Sequence, residues 1–109
     1  MRYAIATDGE HVAPHFGRCE KYTLVDIEGG EPAARQELLN PGHEPGRLPR
    51  LLDAHGVDRV VAGGAGQRAV TMLSMLEIGV CVGVTGTVDE AIREIASGEL
   101  EGGENICEH

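Results

Sequence analysis

Short apolar runs alternate with amphipathic stretches in the second half of the chain, and this alternation constrains the fold more than any other feature. Buried strands are predicted for VDRVVAG, residues 57–63, and VCVGV, residues 80–84. Apolar residues recur at helical spacing over residues 48–55, 69–76 and 88–95. Because β-α-β units join parallel strands by right-handed crossovers, this half predicts parallel strands covered by helices.

The first half of the chain has a different pattern, with three strands and little helical periodicity. The strands are predicted at YAIAT (residues 3–7), KYTLVDI (21–27) and PAARQELLN (32–40), and EGGE between the last two indicates a hairpin turn. The third strand is polar enough to lie near a sheet edge. The element order is therefore β-β-β-α-β-α-β-α. It predicts a three-layer α/β fold with a mixed sheet of about five strands between helices.

Thr87 and Glu90 form a capping-box pattern ahead of the last helix, and Gly98 is placed to end it. Residues 1–100 are expected to form one domain, and the acidic residues 101–109 a flexible tail. No stretch has the length of a membrane span or the pattern of a secretory signal, so a cytoplasmic protein is expected.

The charge of the chain limits its partners. Eighteen acidic residues oppose nine Lys and Arg, a net charge of −9, which argues against nucleic acid and anionic membrane as partners. Three cysteines at wide spacing argue against a disulfide framework and predict reduced thiols.

The loop HVAPHFGRC, residues 11–19, concentrates potential metal ligands in nine residues. Imidazole and thiolate are ligands that borderline metals and metal–sulfur clusters prefer, which makes His15 and Cys19 candidate ligands. The alternatives are a His15 satisfied by hydrogen bonds in a turn and a Cys19 that is a small buried hydrophobe. Phe16 is expected to anchor the loop in the core.

The segment GGAGQRA, residues 63–69, joins a predicted strand to a predicted helix. Glycines at a helix N-terminus can present backbone N–H groups to an anion, so Gly64, Gly66 and Arg68 are candidate cofactor contacts. The alternative is a purely structural βα turn. Ligands of open α/β sheets bind outside the carboxyl ends of parallel strands, so this turn and the His15 loop are expected to meet at one edge.

The C-terminal tail offers a second pair of ligands. In an extended chain Cys107 and His109 point to the same side, roughly 6.5 Å apart, and such an arm could close over a bound cluster. The alternative is a frayed terminus. Asp8 could instead hold a divalent metal for phosphodiester hydrolysis, but a nuclease needs further carboxylates and a basic track that the charge balance does not supply.

The sequence resembles the dinitrogenase iron–molybdenum cofactor biosynthesis family. The HFGR motif at residues 15–18 and the GGAGQRA turn are the most specific parts. The matching segments are IATDG, HFGRCEKYTLVDI, LLDAHGVDRVVAGGAGQRAVTML, IGVCV and GTVDEAIREIASGEL. The resemblance implies a ribonuclease-H-like fold without nuclease activity. It also implies that the histidine of the HFG loop, His15, contacts a cofactor.

The resemblance further implies a protein that binds or carries an iron–sulfur cluster or iron–molybdenum cofactor precursor and is not an enzyme. Proteins of cofactor assembly would be its partners. Of the metal ligands, the resemblance supports His15. Cys19 as a second ligand and Cys107 with His109 as a lid are predicted from the residue types alone, since the tail lies outside the matched segments. The alternative is a regulatory or interaction module that binds an anionic small molecule or a partner protein.

Overall fold

One mixed β-sheet organises the computed structural model, which describes residues 1–42 and 46–98 and the backbone of 106–108. The bounds of the elements are β1 (Arg2–Asp8), β2 (His11–Val12), β3 (Lys21–Glu28), β4 (Glu31–Leu39), α1 (Arg47–Ala54), β5 (Arg59–Val61), α2 (Gln67–Met75), β6 (Gly79–Val82), α3 (Val88–Ser97) and β7 (Ile106–Glu108).

The strand order is β4-β3-β1-β5-β6-β7, and β2 pairs with β1. β1, β5 and β6 are mutually parallel, whereas β3 and β4 continue the sheet antiparallel from β1. This arrangement confirms the antiparallel front and the parallel second half. β2 and β7 are additional to the predicted strands, since two and three residues are too short to show a period of two.

Helices cover both faces of the sheet, which gives the predicted three-layer, ribonuclease-H-like architecture. α1 and α2 pack on one face, where Leu48, Leu52 and Leu73 join the core with Tyr22 and Leu24 of β3. α3 covers the opposite face, and its buried residues are Val88, Ala91, Ile92 and Ile95. Among the described residues, no helix has the length and apolarity to cross a membrane.

The N-terminus of α3 is a complete capping box, as the sequence predicts. Thr87 Oγ1 accepts a hydrogen bond of 3.1 Å from the Glu90 backbone N–H, and the Thr87 backbone N–H donates to Glu90 Oε1 at 3.0 Å. These bonds satisfy N–H groups that the first turn of a helix leaves without partners. Gly98 ends the helix in the left-handed conformation.

The β3–β4 hairpin turns at Gly29 and Gly30, both at positive φ. β4 then runs as the outermost strand beside β3, and all of its residues except Leu38 are exposed. The structure thus confirms the predicted edge position of this polar strand.

The chemistry of the cysteines differs from the expectation. Cys19 is a free thiol, but Cys81 is buried and disulfide-bonded, so the prediction of reduced thiols is wrong for Cys81. In the register of β6 and β7 the residue opposite Cys81 is Cys107. Sequence spacing could not indicate this proximity, because the two positions become neighbours only when the C-terminal strand joins the sheet.

Candidate functional site

Two loops meet at the carboxyl edge of the parallel strands. The first loop, residues 13–20, follows β2, and the second loop, residues 62–66, follows β5. The Gly63 N–H donates to the Ala13 carbonyl and the Phe16 N–H donates to the Gly64 carbonyl, each at 2.9 Å. The juxtaposition expected from strand order is therefore present, and main-chain hydrogen bonds hold it.

The glycines of the second loop have two different roles. A Cβ on Gly63 would lie 2.8 Å from Pro14 Cα, and one on Gly64 would lie 3.3 Å from the Pro14 carbonyl oxygen. Gly63 therefore permits a close backbone approach that a side chain would block. Around Gly66, in contrast, there is open space for a Cβ. Gly63 therefore has a structural role in the turn, whereas Gly66 lines the cavity described below.

Contacts with buried residues hold the first loop against the core. The Phe16 ring is buried and packs 5.5 Å, centroid to centroid, from the ring of Tyr22. The Tyr22 hydroxyl accepts a hydrogen bond from the Gly17 N–H at 3.0 Å, and the Asn40 side-chain amide donates to the carbonyls of Gly17 and Cys19. Burial, together with the neighbouring Cys19, raises the pKa of the Tyr22 phenol, which stays neutral.

A cavity of about 470 Å³ lies beside the two loops, between them and helices α1 and α2. Phe16, Leu48, Ala69 and Met72 form the apolar part of its lining. The sequence predicts the two loops at this site but not that α1 and Met72 line a cavity beside them. Helical periodicity alone does not show which residues of an apolar face border a cavity.

Among the described residues, the cavity is lined by two guanidinium groups, of Arg18 and Arg68, and by the imidazole of His15, and all three side chains are exposed. Within the described residues, none of these side chains has a hydrogen bond or ion pair, and no Asp or Glu lines the cavity. The chain carries twice as many acidic residues as Lys and Arg. The basic side chains at this cavity have no acidic partner among the described residues, and such a lining suits an anion.

The two predicted ligands of the first loop lie in different environments. His15 borders the cavity, whereas the residue Cys19 is 6% exposed and belongs to the core cluster with Phe16 and Tyr22. Cys19 does not line the cavity, and its position matches that of a small buried hydrophobe. In the described part of the chain, no group of three or more His, Cys, Asp and Glu could hold a metal ion.

The predicted tail ligands are not brought to the cavity in the described structure. Cys107 lies on β7, beyond β6 in the sheet, and His109 is outside the described residues. Asp8 is also elsewhere: its carboxylate accepts a hydrogen bond of 2.8 Å from the Glu20 N–H and closes the base of the first loop.

The fold places this chain among small α/β proteins with a mixed sheet, and it has a cavity at the carboxyl edge of the parallel strands. The chain belongs to the dinitrogenase iron–molybdenum cofactor family, whose model matches residues 1–98. The resemblance seen in the sequence is confirmed.

Individual relatives cover most of the chain. The uncharacterised protein MJ0580 of Methanocaldococcus jannaschii is 33% identical over 93% of this chain and 90% of its own length. The crystal structure of PH0822 is 34% identical, with a TM-score of 0.84 over 90% of each chain. The apo form of the orange protein of Desulfovibrio gigas is 25% identical, with a TM-score of 0.77 over 90% of this chain and 88% of that one.

Proposed function

We propose that this protein binds and carries an anionic metallocofactor, an iron–sulfur cluster or an iron–molybdenum cofactor precursor, and that it does so without catalysing a reaction. The observation that carries the proposal is the set of three unpaired basic side chains, His15, Arg18 and Arg68, around a cavity with no acidic lining residue among those described. Membership of the iron–molybdenum cofactor family supports the choice of cargo.

The backbone adds to the attraction for an anion. α2 begins directly after Gly66, so the N–H groups of its first turn have no carbonyl partner within the helix. The positive end of the helix dipole lies at the same place. Gly64 and Gly66 bring the backbone to the cavity surface, and Arg68 adds a guanidinium from the first turn.

His15 is the proposed direct ligand, because its imidazole borders the cavity and a neutral imidazole binds iron. Cys19 as a second ligand requires a rearrangement of the loop that exposes its thiol. Cys107 and His109 as a lid stay a prediction that requires β7 to separate from β6, because Cys107 lies opposite the disulfide-bonded Cys81 in the sheet. The apolar lining from Leu48 and Met72 would exclude water from one side of the cargo.

Anaerobic reconstitution with iron and sulfide, and titration with isolated iron–molybdenum cofactor, test this proposal. We expect sulfur-to-iron charge-transfer absorption in the wild type. We expect affinity to fall about 10- to 150-fold for each of Arg18→Ala and Arg68→Ala, since a hydrogen bond to a charged group contributes about 1.5–3 kcal/mol. His15→Ala should lose or alter the absorption bands.

Arg93→Ala is the matched control, because Arg93 is an exposed arginine on α3, on the other face of the sheet. Cys19→Ala reports whether the buried thiol takes part. The proposal is contradicted if the wild type takes up neither cluster nor cofactor, or if Arg93→Ala weakens binding as much as Arg68→Ala.

A second function is favoured by the lining of the cavity, in which His15 is present without a cysteine among the described residues. A regulatory module that binds a phosphate or carboxylate compound would need the same cations and no metal. Thermal stabilisation by such a compound, lost in Arg18→Ala and Arg68→Ala and without uptake of any cluster, would select this alternative. Proteins of cofactor assembly are the expected partners of a carrier in the cytoplasm, and pull-down with cluster-loaded protein would identify them.

A further inference from the structure

The outer edge of β4 lies away from the cavity and is exposed. β4 is nine residues long, ends the strand order on its side of the sheet, and pairs along one edge with β3. In the described part of the chain nothing pairs with its other edge. Such an edge presents a row of backbone N–H and C=O groups that can accept another strand.

The sequence of β4 is self-complementary about Gln36. If a second copy pairs antiparallel with Gln36 opposite Gln36, Arg35 of each copy lies opposite Glu37 of the other. The same register places Ala34 opposite Leu38 and Ala33 opposite Leu39. Residues opposite each other in an antiparallel pair share a face of the sheet, so both charge pairs and the apolar pairs can form together.

The exposed side chains of β4 fit this arrangement. Arg35 and Glu37 keep about half of their side-chain surface exposed although they contact Asp89 and Lys21. Leu39 is 74% exposed, one of three large apolar residues left exposed on the described molecule. Edge strands usually carry charges that repel a second strand, whereas these charges match those of a second copy.

We propose that two copies of this chain pair antiparallel through β4, on a twofold axis at Gln36, and so form one continuous sheet. The partner is a second copy because a single register places Arg35 and Glu37 opposite residues of the opposite charge. The same register places Ala33 of the second copy against Leu39. The cavity lies on the α1–α2 side at the carboxyl edge of the parallel strands, so this proposal is independent of what the cavity binds.

Charge reversal tests the register. R35E and E37R each place like charges opposite one another in the homodimer, so sedimentation equilibrium should show a dimer for the wild type and at least a tenfold weaker association for each variant. In a mixture of R35E with E37R, every charge pair at the interface is complementary again. The mixture should therefore form a dimer that neither variant forms alone.

Mixing also separates the interface from effects within one chain, since a lost contact to Asp89 or Lys21 is not restored by a second protein. R93E on α3 is the matched control and should dimerise like the wild type. The proposal is overturned if the wild type sediments as a monomer throughout the micromolar range, if the mixture does not associate, or if R93E dissociates the dimer.

Cross-linking provides a test that does not depend on the charge variants folding. Q36C places one thiol on the twofold axis, so a short bis-maleimide should join two copies with high yield. E31C is the control, because residue 31 lies opposite residue 41 and its two copies would be about 33 Å apart. Equal yields from the two variants would overturn the proposed register.

Discussion

Gly63 is the position at which the two loops of the cavity approach most closely. Gly63→Ala would place a methyl group 2.8 Å from the Pro14 backbone, which cannot move aside as a flexible side chain can. We expect a loss of about 1–3 kcal/mol in the free energy of unfolding, the usual cost of overpacking, and weaker cofactor binding because the loops separate. Urea unfolding monitored by circular dichroism measures the stability.

Gly66→Ala is the matched control for Gly63, since Gly66 has an ordinary φ of −69° and open space for a Cβ. It should change stability by no more than about 1 kcal/mol, the cost of a poorer helix N-cap. If both substitutions destabilise the protein equally, the contact with Pro14 does not account for the glycine at position 63.

Residue types indicated much of the site, but their orientation could not be read from the sequence. His15, Gly66 and Arg68 all border the cavity, as predicted from the two loops. Cys19 is buried instead, in the core cluster that includes Tyr22 and Phe16. In a short loop a shift of one residue exchanges inside for outside, and the sequence contains no periodicity that would fix the direction. Arg18 was missed for the same reason.

The capping box of α3 is a local sequence motif whose contribution to stability can be measured. Thr87→Ala removes the hydrogen bond of the hydroxyl to the Glu90 N–H and should cost about 1 kcal/mol. Thr87→Ser keeps the hydroxyl and should retain most of that stability. Thr85→Ala, at an exposed threonine two residues earlier, is the control, and thermal unfolding of the four proteins compares them. A Thr85→Ala loss as large as that of Thr87→Ala would argue against the capping box as the cause.

Elements with a clear period were predicted close to their observed bounds, and elements without one were not. α3 repeats apolar residues over three turns and carries both end signals, so its start and end follow from the sequence. β2 pairs with the end of β1 that extends beyond β5, at Thr7 and Asp8, and β7 pairs with the outer edge of β6. Such strands are specified by their partners, and a single segment examined alone does not contain that information.

For the whole molecule, the end of the sheet opposite the cavity is tied together by Arg2. Its guanidinium binds the Asp26 carboxylate at 2.7 and 3.2 Å and the His55 carbonyl at 2.6 Å, while its backbone N–H binds Asp58. These bonds connect β1 with β3 and with the segment between α1 and β5. The hydrogen bond from Arg2 lowers the pKa of Asp26 below its usual 3.8.

This shift predicts how stability depends on pH. A carboxyl group whose pKa is lower in the folded state stabilises the protein at pH values above its unfolded pKa, and that contribution is lost as the pH falls through the folded pKa. Glu90, whose pKa is lowered by its bonds to Thr87, acts in the same direction. We therefore expect the free energy of unfolding to decrease as the pH falls from about 5 towards 2.

Asp26→Asn should be less stable than the wild type at pH 7, and the difference should shrink as the pH falls below 4. Asp53→Asn, at an exposed aspartate on α1, should follow the wild-type profile. Urea unfolding at pH 7, 5, 4 and 3 provides the comparison. A constant difference between Asp26→Asn and wild type over this range would contradict the role given to the ion pair.

The join between the two loops is made by amide and carbonyl groups of the main chain, at Gly63 and at Phe16. The side chains at positions 15, 18 and 68 make none of these hydrogen bonds. Evolution could therefore exchange these three residues for others, one codon at a time, while the scaffold beneath them kept its shape. Homologous chains built on the same scaffold could in this way come to line the cavity with side chains of different charge or chemistry.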